Sequence, residues 1–286
     1  MPADDDAHLS SQDSAPVLKR QSGLGDRFYR QGPDHRAGAE VGFVELRRRF
    51  DFRSIQVGQW VTPAESRHAA TLFYDALCDL MQILTGPESL ISLRGTLAFA
   101  YGTGGRPGVC AHYSPATRTF ALAKNAGPGS IAHEWFHALD HHLAGKAFQG
   151  LPPGTLASSA WLKDAELIKH PLNDLLAACF RAVLLDESGE RPSALFQTSA
   201  AIDKHLGSFY YSRPEEICAR AFEAFVQDAS IKNNFLVKGT KASEEAQVGL
   251  YPQGEARERI SAAWSDYFRG LGGRLRTEGS LQLTRF

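Results

Sequence analysis

Cysteine is scarce in this sequence, and long apolar runs are absent. The four cysteines are scattered through 286 residues without a C-x-x-C pair; they are Cys78, Cys110, Cys179 and Cys218. This distribution is typical of reduced thiols that pack as small apolar side chains in a cytoplasmic protein. No apolar stretch approaches the roughly 18 to 20 residues of a transmembrane helix, so we expect no membrane partner.

An excess of charge of one sign is absent as well. The chain has 31 Lys and Arg against 32 Asp and Glu, a formal net charge of −1. This balance favours neither nucleic acid nor an anionic membrane as a partner. The first six residues, MPADDD, are acidic where a signal peptide is basic, and no apolar segment follows them. We therefore predict a cytoplasmic protein, with injection or signal-less export as alternatives.

The domain organisation follows from composition. Residues 1 to about 38 are polar and poor in aliphatic side chains, which predicts a disordered or loosely attached tail that can be removed without loss of stability. We expect one domain in residues 39 to 272 and a C-terminal tail in residues 273 to 286. Helices and strands in residues 39 to 145 precede a helical part in residues 146 to 272, an order typical of an α+β protein.

The first half combines one long helix with short strands. Thr62 and Glu65 form a capping box with Pro63 at the first helical position, and apolar residues then recur at helical spacing. Three β patterns follow, at residues 96–101, 109–113 and 119–123. We interpret the glycine-rich residues 102–105 as a hairpin that joins the first two strands.

The helix that follows the strands begins at Ser130, a possible N-cap, and carries His133 and His137. Beyond it the chain is mainly helical. Further helical segments are expected near residues 158–170, 173–185, 199–206, 212–227 and 255–270.

A complete H-E-x-x-H motif lies on the helix that begins at Ser130; its residues are His133, Glu134 and His137. At helical spacing both imidazoles lie on one face, so they can bind one metal ion. Glu134 lies beside them, where it can accept a proton from a metal-bound water. The motif predicts one Zn²⁺ with two imidazole ligands, a third protein ligand and an open fourth position.

The third ligand does not follow on the same helix. A metzincin would continue with a glycine and a third histidine, but Asp140 and Leu143 stand at these positions. Asp140 lies about one turn beyond His137, and two interpretations stay open. It either orients an imidazole from behind or forms a cap and salt bridge at the surface.

The remaining candidate lies on the helix near residues 212–227. Ser212 and Glu215 form a second capping box there, which occupies Glu215 and leaves Glu216 free to face the metal ion. Glu223, farther along the helix, can hydrogen-bond a ligand histidine. The pattern alone also allows Glu216 to be a solvent-facing carboxylate.

Together these residues resemble the zincin-like metallopeptidase domains of large polyvalent proteins from phages and other mobile elements, and the CLCA_X family of stand-alone bacterial proteins. Four blocks between about residues 45 and 230 carry the likeness. They are FDFRSIQVGQWV (50–61), YDAL (74–77) with Asp79 and Leu80, AHY through GPGSIAHEWFHALD (111–140) and PEEICARAFEAF (214–225). The resemblance implies a zincin-like fold, in which a small antiparallel or mixed sheet and an active-site helix precede a helical subdomain.

The last block also resembles the end of the protease domain of anthrax lethal factor, a gluzincin. There a Glu in an E-x-x-A-x-A-F helix is the third zinc ligand, and a Tyr shortly upstream aids the transition state. The resemblance implies that Glu216 is the ligand and Tyr211 the tyrosine. Because the Tyr-to-Glu spacing is shorter here, Tyr210 remains an alternative.

We therefore predict a zinc metallopeptidase that acts on a protein or peptide substrate. The substrate is expected to add to an edge strand directly before the active-site helix, although an interior strand is the alternative. This strand comprises Thr119, Phe120, Ala121, Leu122 and Ala123. The rival hypothesis is a non-catalytic, zinc-stabilised binding module linked to mobile elements or DNA. The basic residues 47–49 suit that hypothesis, whereas the intact Glu134 opposes it.

Overall fold

The computed structural model describes residues 28–103, 111–123 and 129–283. The helices are α1 (Phe43–Phe50), α2 (Pro63–Ile83), α3 (Glu88–Ile91), α4 (Ile131–Ala147), α5 (Ala157–Leu162), α6 (Pro171–Leu184), α7 (Ala194–Leu206), α8 (Pro214–Asp228), α9 (Glu244–Gln247) and α10 (Gly254–Leu283). The strands are β1 (Arg30–Gln31), β2 (Ile55–Val57), β3 (Ala98–Tyr101), β4 (Ala111–Ser114), β5 (Thr119–Leu122) and β6 (Lys232–Asn233). The α+β prediction is confirmed.

The main sheet has four strands in the order β2-β3-β5-β4. β3 pairs in parallel with both β2 and β5, and β5 pairs antiparallel with β4. Because β3 and β4 are not neighbours, the predicted hairpin between them is wrong, and residues 104 and 105 of that segment lie outside the described residues. All four residues of β3 are buried, which is typical of a strand with a neighbour on each side.

A strand does form within the expected residues 119–123, but its predicted position at the edge of the sheet is wrong, since β5 lies between β3 and β4. Phe120, Ala121 and Leu122 are buried, whereas β4 is only partly buried and exposes His112. The more apolar strand thus takes the covered position, which hydrophobic burial favours. Among the described residues, β4 pairs on one side only, and helix α4 packs against it.

The helix boundaries depend on backbone geometry that periodicity does not reveal. The capping box of α2 is confirmed, with the Thr62 side chain accepting from the N–H of Glu65. The helix expected at 158–170 is wrong, because α5 ends at Leu162 and Asp164 adopts a positive φ of 54°.

None of the described helices is long and apolar enough to cross a membrane.

Helix α10 runs past Gly270 and includes residues 273–283, which the sequence analysis assigned to a tail. Gly270 and Gly272 lie in close packing contacts and do not end the helix. A Cβ added at Gly272 would lie 2.3 Å from the carbonyl oxygen of Thr85, so only glycine permits this close approach between α10 and the turn after α2.

Residues 28–38, expected as part of the loose tail, contact the domain in the structure. Asp79 of α2, whose side chain is fully buried, accepts hydrogen bonds from Arg30 at 2.7 Å and from Asn233 at 2.8 Å. The ring of His35 lies 2.7 Å from the same carboxylate. These contacts are polar, so a search for aliphatic side chains overlooks them.

We expect Arg30→Ala to destabilise the fold, because it removes a cation from a buried carboxylate. The expected loss is about 3 kcal/mol, the low end for breaking a buried ion pair, since His35 and Asn233 still contact Asp79. Urea denaturation measures it. The matched control is Arg48→Ala on the exposed face of α1, expected within about 0.5 kcal/mol of wild type. Equal stability of both variants would contradict the role of Arg30.

Candidate metal centre

Helix α4, which carries the H-E-x-x-H motif, begins in close contact with the segment after β6. The N–H groups of Gly129 and Ala132 donate to the carbonyls of Phe235 and Leu236 at 3.1 and 3.2 Å. Gly129 has a φ of 101°, and a Cβ there would lie 2.9 Å from the backbone nitrogen of Lys238. Glycine is therefore required at this entry, and the contact fixes where the two histidines lie.

Asp203 of α7 organises the loop that leads into α8. Its buried carboxylate accepts from the N–H groups of Tyr210, Tyr211 and Ser212 and from the hydroxyl of Ser208. Burial alone would raise the pKa of Asp203, but hydrogen bonds, led by those from Ser212, lower it below the ordinary value. The loop therefore has a fixed shape, and with it the positions of the two tyrosines.

The predicted capping box of α8 is wrong. The hydroxyl of Ser212 donates to Asp203 at 2.6 Å, and the N-cap residue is Arg213. Glu215 instead accepts from the hydroxyl of Ser159 on α5 at 2.7 Å. Glu215 thus contacts α5, whereas its neighbour Glu216 faces α4.

Three side chains from α4 and α8 converge. Nε2 of His133 lies 3.0 Å from Nε2 of His137 and 3.2 Å from Oε2 of Glu216. Nε2 of His137 lies 3.3 Å from Oε1 of Glu216. Within the described part of the chain, this is the one group of three or more His, Cys, Asp or Glu whose ligand atoms all lie within 4.8 Å of one another.

These separations fit a tetrahedral metal ion. Zinc binds imidazole nitrogen and carboxylate oxygen at about 2.0–2.1 Å, which places two tetrahedral ligand atoms about 3.3 Å apart. The separation of the two nitrogens, 3.0 Å, is close to this value, as are the shortest distances from each nitrogen to the Glu216 carboxylate, 3.2 Å to Oε2 and 3.3 Å to Oε1. Two nitrogens and one carboxylate oxygen are also a ligand set that zinc accepts. His133, His137 and Glu216 can therefore hold one such ion.

A second carboxylate lies behind His133. Oε1 of Glu223 is 2.7 Å from Nδ1 of His133, and the hydroxyl of Tyr251 donates to Oε2 of Glu223 at 3.2 Å. Burial lowers the pKa of His133, but hydrogen bonds to Glu216 and Glu223 outweigh burial and raise this pKa well above its ordinary value. The contact between Glu223 and His133 is the one that the sequence analysis expected.

The charge of the cluster favours a cation. Burial would raise the pKa of Glu216, yet the neighbouring His137 and His133 hold it well below its ordinary range. Burial likewise opposes the raised pKa of His137, and the charge and hydrogen bond of Glu216 cause the rise. Glu216 is thus a carboxylate only 8% exposed, in a position where an opposite charge is required.

Asp140 follows neither of its two expected roles. It is only 1% exposed, so it is not a surface residue. Its carboxylate accepts from the N–H and the hydroxyl of Ser158, at 2.8 Å and 2.5 Å, and so joins α4 to the start of α5 instead of orienting an imidazole. Burial raises the pKa of Asp140 to about 6.

The carboxylate of Glu134 is half-buried and forms no hydrogen bond or ion pair with another described residue. Burial first, and then the charges of Glu216 and Glu134, raise the pKa of the Tyr210 hydroxyl well above its ordinary value. Tyr211 packs its ring against Arg220, whose guanidinium carbon is 5.6 Å from the ring centroid. Tyr210, the alternative to Tyr211, is thus the tyrosine whose hydroxyl is influenced by the charges of both Glu134 and Glu216.

Neither the contact of Tyr251 nor the organising role of Asp203 is evident from the sequence. Tyr251 lies 28 residues beyond Glu223 on a loop, and no periodic pattern connects them. Asp203 lies nine residues before Ser212, outside the spacing of a helix cap. Both contacts depend on tertiary packing, so a local pattern carries no signal for them.

One family model matches the chain. It is described as large polyvalent protein-associated domain 1, and it matches residues 202–275, which are 74 of the 286 residues. The matched part contains Tyr210, Glu216, Glu223 and Tyr251 but not the H-E-x-x-H motif. This match links the chain to the polyvalent proteins of mobile elements. No curated protein and no solved structure matches the chain.

The assignment of Glu216 as a metal ligand can be tested with a variant of its neighbour Glu215 as the control. Glu216→Ala should abolish stoichiometric zinc binding, because it removes one of only three protein ligands. Glu215→Ala should keep the metal and lose about 1 kcal/mol of stability, since it removes a single hydrogen bond to Ser159. Equilibrium dialysis followed by metal analysis measures both variants. Loss of zinc in the Glu215 variant alone would contradict the assignment.

Proposed function

We propose that this chain is a zinc-dependent peptidase of gluzincin type with a zincin-like catalytic domain. The observation that carries the proposal is the convergence of Nε2 of His133, Nε2 of His137 and the carboxylate of Glu216 at 3.0–3.3 Å. His133, His137 and Glu216 would hold one Zn²⁺, which supplies Lewis acidity to a water molecule and to the substrate carbonyl.

Glu134 is the proposed general base. It directly follows His133 on α4, and its carboxylate forms no hydrogen bond or ion pair with another described residue. It accepts a proton from the attacking water and later delivers that proton to the leaving amine. The free carboxylate favours an enzyme over the rival binding module, because a module that only needs the metal for its fold has no use for a base at this position.

Tyr210 is the proposed donor to the developing oxyanion. Burial and the nearby charges of Glu216 and Glu134 keep its hydroxyl protonated, so it can donate at neutral pH. The hydrogen bonds from its backbone and that of Tyr211 to Asp203 hold the loop in place before substrate binds. A donor that is fixed in advance needs no reorganisation during the reaction.

The substrate is proposed to be a protein or peptide that adds to β4. This strand takes over the role that the sequence analysis gave to residues 119–123. β4 pairs with β5 on one side, and α4 packs against it, so a chain at its other side would lie near the metal centre. Main-chain hydrogen bonds of an extended peptide would then align the scissile bond. The link to polyvalent proteins suggests a substrate encountered in the life cycle of a mobile element.

Glu134→Gln tests the enzymatic proposal. This change keeps the size of the side chain and removes the carboxylate that accepts the water proton, while the three ligands stay in place. We expect full zinc occupancy, an unchanged melting temperature, and a loss of peptide cleavage by about two to four orders of magnitude. Cleavage is measured by mass spectrometry on a diverse peptide library.

The matched control is Glu215→Gln, an acid-to-amide change on α8 that lies against α5 and not in the metal centre. It should cleave at a rate close to wild type. Cleavage that persists undiminished in the Glu134 variant would show that another residue acts as the base. A biological phenotype that survives Glu134→Gln but disappears with His133→Ala would favour the binding module.

A further inference from the structure

Tyr251 reaches the candidate metal centre through Glu223. Its hydroxyl donates to Oε2 of Glu223 at 3.2 Å, and Oε1 of the same carboxylate lies 2.7 Å from Nδ1 of His133. The three side chains therefore form one continuous series from the loop between α9 and α10 to an imidazole of α4. Glu223 is 5% exposed, so a lost partner would leave a buried carboxylate oxygen unpaired.

The loop that carries Tyr251 is fixed to the helix that carries Glu223. Arg220 of α8 is 4% exposed, and its guanidinium donates to the carbonyl of Leu250 at 2.8 Å and to the hydroxyl of Ser199 at 3.0 Å. Gly249 adopts a φ of 86°, and an added Cβ would lie 3.3 Å from Thr198 of α7. The hydroxyl of Tyr251 is thus placed by α7 and α8 together.

The hydroxyl is a reliable donor. Burial first, and then the charge of Glu223, raises the pKa of Tyr251 well above its ordinary value. The proton accordingly remains on the phenol, and the hydrogen bond runs from Tyr251 to the carboxylate. The second oxygen of Glu223 is then left to accept from Nδ1–H of His133.

We propose that Tyr251 is a positioning residue of the metal centre, an inference that rests on the proposed function. Its hydroxyl holds Glu223 in the orientation that accepts Nδ1–H of His133, so that Nε2 of His133 faces His137 and Glu216. Partners behind a ligand histidine fix its tautomer and its ring orientation, and their loss costs about 10–100-fold in metal affinity. Tyr251 acts one residue farther from the metal position, and we expect loss of its hydroxyl to lower zinc affinity about three- to tenfold.

The test compares Tyr251→Phe with wild type in the full chain. This change keeps the ring and removes only the hydroxyl. Zinc affinity is measured on metal-free protein by competition with a chromophoric chelator, and it should fall about three- to tenfold. The melting temperature of the metal-free protein should stay within the change seen in the control. The visible spectrum of the Co²⁺-substituted variant should shift, because the ring of His133 is held less firmly.

Tyr267→Phe is the matched control, since Tyr267 is a buried tyrosine of α10 in the same matched region. Its zinc affinity and Co²⁺ spectrum should equal those of wild type. A second comparison uses Glu223→Ala, which should lose about 10–100-fold in zinc affinity. Adding Tyr251→Phe to that variant should not lower its zinc affinity further, because Tyr251 acts through Glu223.

The outcomes separate the two proposals. If wild type binds zinc in a His133-dependent manner but Tyr251→Phe binds it equally well, the positioning role is overturned and the proposed function stands. The positioning role is also overturned if Tyr251→Phe lowers zinc affinity by the same factor in the Glu223→Ala variant as in wild type. If wild type binds no zinc, both the proposed function and the positioning role are overturned. If Glu223→Ala does not fold, the comparison with Tyr267→Phe still decides.

Discussion

The packing of α4 against α8 is the constraint on which the candidate site depends. Trp135 and Phe136 of α4 lie 5.7 and 5.3 Å, ring centroid to ring centroid, from Phe222 of α8. This apolar contact brings Glu216 and Glu223 out of water and against His133. Buried carboxylates are unfavourable unless cations or hydrogen bonds compensate them, so a fold without a function for this cluster would gain little from it. A bound metal ion would compensate this cost, because its divalent charge would lie against the Glu216 carboxylate and would strengthen the hydrogen bond from His133 to Glu223.

The site joins two parts of the chain that are far apart in sequence. The H-E-x-x-H motif lies on α4, whereas the proposed third ligand Glu216, Tyr251 and the loop with Tyr210 lie within residues 202–275. Metal binding would therefore stabilise the contact between α4 and α8 in addition to creating a reactive centre. The family match covers the part of the chain that contributes Glu216 and does not include the motif.

Local geometry could be predicted from the sequence. A spacing of four residues puts His133 and His137 on one helix face, and consecutive positions on α8 direct Glu215 and Glu216 to different helices. Positions that depend on tertiary contacts could not be predicted in this way. Strand β5 was expected at the edge, but burial of Phe120 between two other strands made it interior. The capping box expected at Ser212 does not form, because the Ser212 hydroxyl donates to Asp203, nine residues earlier in the chain.

The central claim is that two imidazoles and one carboxylate form a zinc site. X-ray absorption spectroscopy at the zinc edge, on protein loaded with one equivalent of zinc, tests it most directly. The account predicts a first shell of nitrogen and oxygen at about 2.0–2.1 Å with two imidazoles and no sulfur. It also predicts that Glu216→Ala changes this shell, whereas Glu215→Ala does not. A sulfur shell at about 2.3 Å, or a shell that is identical in the Glu216 variant, would contradict the account.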